Sequence, residues 1–319
     1  MYNKIKDFPN QISDGINDVK SLSLNLDKVH RVVFMGMGGS AIAGSIIKDI
    51  CPHLELIVER NYFPSATIDE NTLLIICSYS GNTEETLSYY NHASSLTNNI
   101  FGITSGGKLL ELLKNEDQNH CVLPGGYPPR SILGYVLTVL IGLLDEEGLL
   151  ELLNIELLQD YSDKFSSEDN EVFSLAKKIH STLPVIITEE DLSSVGFRLK
   201  SQLNENSKML SYNVTLPEMN HNEIVGWESS LTKKDLFSLI WIDITFPANI
   251  KRMDITNRIL TNKNSYSHHI EIPSDFKSDL SGLFYLINYL DWLSYWCGHL
   301  NDVDISSIKS IDILKKELA

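Results

Sequence analysis

Two hydroxyl-rich segments hold the first chemistry legible in this chain: Gly36-Met37-Gly38-Gly39-Ser40-Ala41 and Ser78-Tyr79-Ser80-Gly81-Asn82-Thr83-Glu84-Glu85. Each follows a short apolar run and leads into a helical pattern. Glycines let backbone amides approach a ligand, and a helix start adds partial positive charge, so both segments suit an anion. Asn82 and Glu85 fit the N-cap and N3 positions of the second helix. Serine and threonine favour turns on their own account, so any one of these hydroxyls also reads as a cap. As a set they say more. In a flavodoxin-like strand order the first and third strands are neighbours at the switch point, so Ser40 would face the same crevice as Ser78, Ser80 and Thr83. Four hydroxyls at two helix N-termini suit a phosphate monoester.

A rival reading uses only the first segment. Gly36, Gly38 and Ala41 fit the dinucleotide fingerprint, and Glu59 follows at about the spacing of a ribose-binding acid. A dinucleotide, however, has no need of the second loop.

Four residues could move a proton or stabilise charge. Arg130 follows Gly125-Gly126-Tyr127-Pro128-Pro129 and precedes a helix starting near Ser131, where a cation is disfavoured. It either swings to solvent or works in a site. Glu205 lies on a helical pattern whose apolar stripe is Val195, Leu199 and Leu203, which puts it beside Ser201 and Arg198 on the polar side. A solvated acid and a base both fit. His221 stands between Asn220 and Glu223, which read as a helix start; an imidazole there stays neutral and can exchange a proton, or is simply a turn histidine. Lys315 lies at the edge of the apolar side formed by Ile308, Ile311, Leu314 and Leu318, whereas Lys316 faces out. It either snorkels or points into something polar. His268 and His269 are adjacent in a strand, point to opposite faces, and do not form a metal site.

The elements that must position these groups are legible from apolar runs. Strands are expected at Val32 to Met35, Leu54 to Val58, Leu73 to Cys77, Ile100 to Thr104 and Cys121 to Leu123, with a buried helix from Ile132 to Leu144. A helical connection follows from Asp145 to Glu171. Further strands are expected at Leu183 to Thr188, Leu236 to Thr245 and His268 to Ile272, and helices at Leu192 to Lys208, Met253 to Thr261, Leu280 to Trp296 and Ile308 to Leu318. The alternation predicts an α/β fold of two doubly wound subdomains, each a mainly parallel sheet flanked by helices, divided as 1–150 and 151–319.

Composition narrows the function classes. The chain has 319 residues and a formal net charge of −16, which argues against nucleic acid as a partner. The same charge opposes a small anion, so local hydroxyls, amides and helix ends must hold it. Met1 to Asn10 lacks the features of a targeting segment, no run is suited to a membrane, and the four scattered cysteines form no disulfide or zinc pattern. A cytoplasmic, reducing location is expected.

The loop Ser78 to Thr86, with Gly38-Gly39-Ser40, resembles the phosphosugar-binding signature of the sugar isomerase (SIS) domain superfamily. Adding Pro128-Pro129-Arg130, Asn204-Glu205-Asn206 and Asn220-His221-Asn222, in order and spacing, the chain resembles the bifunctional phosphoglucose/phosphomannose isomerases over nearly its whole length. That resemblance implies a hexose 6-phosphate substrate and no cofactor or metal. Gly39, Ser40, Ser78, Ser80 and Thr83 would hold the phosphate, Glu205 would shuttle the proton between C1 and C2, and Arg130 would stabilise the enediolate. His221 would open the ring from a neighbouring subunit, which implies a homodimer, and Lys315 would assist near the ring oxygen. One departure stands out: where the family has a threonine between prolines, this chain reads Asp304-Ile305-Ser306-Ser307-Ile308, so Ser306 would replace that hydroxyl in shaping the pocket. Two other classes remain open: a sugar-phosphate sensor of the same fold without catalysis, and a nucleotide-dependent oxidoreductase. An isomerase of another phosphosugar is a nearer alternative.

Overall fold

The computed structural model describes residues 1–24, 26–144, 148–229, 233–262, 265–276 and 279–318. The chain forms two compact units, a first unit of Asp7–Ile155 and a second of Met1–Lys6 with Glu156–Ala319.

In the first unit, short runs of β-branched and other apolar residues form five parallel strands: β1 (Arg31–Gly36), β2 (Leu56–Glu59), β3 (Thr72–Cys77), β4 (Ile100–Thr104) and β5 (Asn119–Val122). They lie in the order β2-β1-β3-β4-β5. All six residues of β3 are buried, as expected of a central parallel strand covered on both faces. β1 and β3 pair in register, with Gly36 opposite Cys77, so the loops leaving them start at one level. The expected apolar helix is present at Leu133–Leu144 and is buried along nearly its whole length. It packs against Phe8–Val19, a helix absent from the sequence expectations. Gly15 permits that contact, because a Cβ there would stand 2.9 Å from Thr138 Cβ, and Gln11 Nε2 donates to Ser131 O at 2.8 Å.

The second unit repeats the plan with four parallel strands, β6 (Leu183–Glu189), β7 (Tyr212–Leu216), β8 (Phe237–Ile242) and β9 (Tyr266–Ile270), in the order β7-β6-β8-β9. This is the first sheet's order without its last strand, and it agrees with the doubly wound expectation for both halves. β7 was not foreseen; four of its five residues are only half-buried, which weakens the apolar signal. The strand expected to run to Thr245 ends at Ile242, since Asp243 turns the chain with φ of +42°.

The connecting region contains the helices Ile155–Phe165 and Glu171–Ile179; its expected beginning, 145–147, falls outside the described residues. The 22-residue helix Asp279–Leu300 forms the centre of the second unit. Its Trp292 meets Tyr2 edge to face with ring centroids 5.1 Å apart, which ties the first residues of the chain into this core. Trp296 Nε1 donates to Phe165 O at 2.8 Å. Among the described residues, no helix is long and apolar enough to cross a membrane.

Candidate functional site

The loops leaving β1 and β3 meet at the switch point of the first sheet. Gly38, at φ +50°, turns the chain into the helix Gly39–Ile50, and no side chain caps its first amides. Thr83 is the N-cap residue of Glu84–Ala93, which also has no side-chain cap bond. Two helix N-termini therefore present amide donors beside neighbouring strand ends. Ser40 Oγ accepts the Tyr79 N–H at 3.3 Å, joining the loops. Ser78 Oγ and Thr83 Oγ1 lie 3.0 Å apart, and Ser80 Oγ accepts from Asn82 N at 3.2 Å. Asn82 does not cap its own helix as the sequence implied: its Oδ1 accepts from Lys108 N at 3.0 Å and so serves the next helix, Gly107–Asn115. Burial pushes the adjacent Cys77 thiol up to about 12, which leaves it inert as a nucleophile.

Arg130 is buried, at 5 % exposure, and so does not swing to solvent. It lies in the single turn Pro129–Ser131, ahead of the helix that starts at Leu133. Gly39 allows this segment to approach, since a Cβ there would stand 2.9 Å from Pro129 O and 3.2 Å from Arg130 Cα. Tyr79, which the sequence reading did not single out, fixes the strap leading to Arg130. Its hydroxyl donates to Pro124 O at 2.9 Å and accepts from Tyr127 N at 2.9 Å, while the Tyr127 hydroxyl donates to Asp7. Burial and the bond to Asp7 raise the Tyr127 pKa and keep this phenol a donor.

In the second unit the expected helix Leu192 to Lys208 changes character midway. Ser193–Gln202 is α-helical, and Leu203–Ser207 widens into a π turn, a feature frequent at functional sites. Glu205 is half-buried on that turn, where a rotation of 100° per residue no longer applies. Arg198, expected on the polar side of this helix, is buried, and its Nε and NH2 donate to Asp291 at 3.0 and 2.6 Å, with Gln202 Nε2 donating to the same carboxylate at 2.8 Å. Asn206 Nδ2 donates to Ser294 Oγ at 2.9 Å and Ser207 Oγ to Ser294 O at 2.6 Å, so the π turn is fastened to Asp279–Leu300. Lys208, with φ of +55°, ends the turn; its Nζ donates to Glu205 O at 2.5 Å and to Ser307 O at 2.7 Å. That ammonium draws the exposed Ser306 segment to the Glu205 turn, and Asp304 Oδ1 shapes the segment by accepting from Ser306 N at 3.0 Å.

His221 is exposed at the end of the 3₁₀ turn Glu218–His221. Asn222, not Asn220, is the cap that follows, accepting from Glu223 N at 2.6 Å. The helix it starts, Glu223–Gly226, has only four residues. Asn220 Nδ2 instead anchors the turn by donating to Thr256 Oγ1 at 2.8 Å. The apolar side at whose edge Lys315 was expected is uncovered within this chain: every residue of Lys309–Leu318 is exposed, Leu314 and Leu318 included.

Gly39, Ser40, Ser78, Ser80, Thr83 and Arg130 thus gather in one loop cluster of the first unit, and Glu205 meets the Ser306 segment in the second. His221 and Lys315 are carried by other elements of that second unit. The acid required by the dinucleotide reading is committed elsewhere: Glu59 Oε1 accepts from Ser65 N, Ser65 Oγ and Ala66 N at 3.1, 2.7 and 2.8 Å, folding the turn after β2. Among the described residues, no cluster of three or more His, Cys, Asp or Glu side chains is arranged to hold a metal ion.

Residues 168–318 match the model of the bacterial phospho-glucose isomerase C-terminal SIS domain. The chain is 36% identical to a bifunctional phosphoglucose/phosphomannose isomerase of Caldicellulosiruptor bescii, covering 100% of this chain and 99% of that protein. It is 33% identical to a D-glucosamine-6-phosphate 4-epimerase of Sulfolobus acidocaldarius, over 72% of each chain. In fold it is similar to the C-terminal domain of glucosamine-fructose-6-phosphate aminotransferase from Francisella tularensis, with a TM-score of 0.70, 14% identity, and 96% and 97% of the two chains covered.

Two stability measurements probe these contacts. Gly39→Ala should cost about 1–3 kcal/mol in urea unfolding, because the added carbon has to displace Pro129 and Arg130; parental stability would show that the close approach does not exist in solution. Asp291→Ala leaves the Arg198 charge buried without its carboxylate and should cost about 3–5 kcal/mol, read in the same way.

Proposed function

The chain belongs to the bifunctional phosphoglucose/phosphomannose isomerase family, and from that premise we propose that it interconverts glucose 6-phosphate and mannose 6-phosphate with fructose 6-phosphate, without a metal or organic cofactor. The observation that carries the reading is the pair of helix N-termini without side-chain caps at the ends of β1 and β3, beside the hydroxyls of Ser40, Ser78, Ser80 and Thr83. With the amide of Gly39, these groups receive the dianionic phosphate and fix the sugar by one end.

Chemistry then proceeds at the other end. Glu205 removes the proton from C2 of the open-chain aldose and returns it to C1, passing through a cis-enediolate whose oxygen charge Arg130 stabilises. Half-burial leaves the Glu205 carboxylate accessible, and the π turn supplies a fixed backbone for it. His221 exchanges the ring-opening proton and is supplied by a second copy of the chain in a homodimer; its exposure on a short turn supports that role. Lys315 acts near the ring oxygen, and Ser306 shapes the pocket around the C2 substituent.

The decisive assay is incubation with fructose 6-phosphate and EDTA, followed by separation of the glucose and mannose products. Both aldoses should form, and loss of turnover in EDTA would remove the metal-free mechanism. Glu205→Gln should lower kcat by about 10²–10⁴-fold with little change in KM. Ser80→Ala with Thr83→Ala should chiefly raise KM for all substrates. A parallel incubation with glucosamine 6-phosphate addresses the epimerase among the relatives: inversion at C4 without aldose–ketose conversion would replace the isomerase reading, and binding without any turnover would make the chain a sensor.

A further inference from the structure

Both units possess the same switch point, but they fill it differently. In the first, the crevice lies between β1 and β3, and the side chain reaching across is the short, neutral Ser40, whose Oγ accepts the Tyr79 N–H. In the second, the corresponding neighbours are β6 and β8, and the side chain reaching across is Glu189, the last residue of β6. Its carboxylate is buried, at 7 % exposure. It accepts from Thr245 N at 3.1 Å, Thr245 Oγ1 at 3.2 Å, Phe246 N at 3.3 Å and Asn249 Nδ2 at 2.6 Å. Phe246 is the N-cap residue of the helix Pro247–Leu260 and offers no cap bond of its own. Glu189 therefore supplies, from another strand, the negative charge that this helix start attracts.

We propose that Glu189 is a tethered anion that fills the second unit's crevice, so that of two topologically equivalent anion sites only the first is open to a substrate phosphate. The inference deepens the functional reading by specifying which half of the chain can take the phosphate. Burial by itself would raise the Glu189 pKa, but the bonds from Asn249, Thr245 and Phe246 outweigh it and hold the carboxylate below its ordinary value, so the group is charged at neutral pH. The mouth reinforces the exclusion. Glu189 contributes to the lining of an open cleft together with the exposed acids Glu190 and Asp191, and three carboxylates in one cleft repel a phosphate dianion.

Chemical rescue tests the assignment through stability, so a failure of the isomerase reading would not disturb it. Glu189→Ala should melt about 2–4 °C or more below the parent in sodium chloride. It should recover most of that loss in sodium formate at equal ionic strength, because formate fits the space of the missing carboxylate; the parent should show no such gain. Glu189→Gln keeps the volume, loses the charge, and should melt below the parent at neutral pH in either salt. Should Glu189→Ala fail to fold in chloride, refolding yield in formate becomes the readout. No gain from formate over chloride, or a Glu189→Gln variant that melts with the parent, would overturn the proposal.

Discussion

An excess of hydrogen-bond donors at the ends of adjacent strands is the constraint on which the first unit turns. Register makes it unavoidable: with Gly36 opposite Cys77, the loops that follow begin side by side, and each runs directly into a helix. A protein bearing a net charge of −16 repels anions at a distance, so whatever holds one must act at contact range. Backbone amides serve that need well, because they carry no net charge and cannot be titrated away. Gly39 adds a second condition, since only a residue without a side chain lets the Arg130 segment close on the same helix start.

The second unit solves a different problem, which is to hold a bent piece of helix rigid. A π turn leaves irregular backbone, and here Ser294, Asn301 and the Lys208 ammonium add partners to the bonds the turn makes within itself. Beneath it, Arg198, Gln202 and Asp291 form a buried polar network whose members satisfy one another. Such a network adds little net stability, but it admits few alternative packings, and that favours one orientation of the residues above it.

Sequence reading succeeded where structure is local or strongly apolar. β1, β3, β4 and the Leu133–Leu144 helix announce themselves as continuous apolar runs, and both hydroxyl loops stand out by composition. It failed where the deciding partner is remote. Arg198 looks solvated until Asp291, 93 residues later, is known to face it. Asn82 looks like a cap for its own helix because nothing local reveals Lys108. Glu59 has the right spacing for a ribose, yet it is consumed by a turn six residues on. The π turn has no compositional signature, so the change of helical geometry at Glu205 is not legible in the sequence, and the exposed face of Lys309–Leu318 shows that amphipathic patterning does not say whether a surface is covered within one chain.

The opening helix, residues Tyr2–Lys6, packs with elements that lie far later in the sequence, whereas Asp7–Ile155 forms a compact unit of its own. On the ribosome, the first unit can close as soon as its own residues emerge, while Tyr2 waits until Trp292 and Tyr295 have followed. A fusion partner attached ahead of Met1 would therefore burden the late-forming aromatic cluster and leave the early-forming sheet untouched.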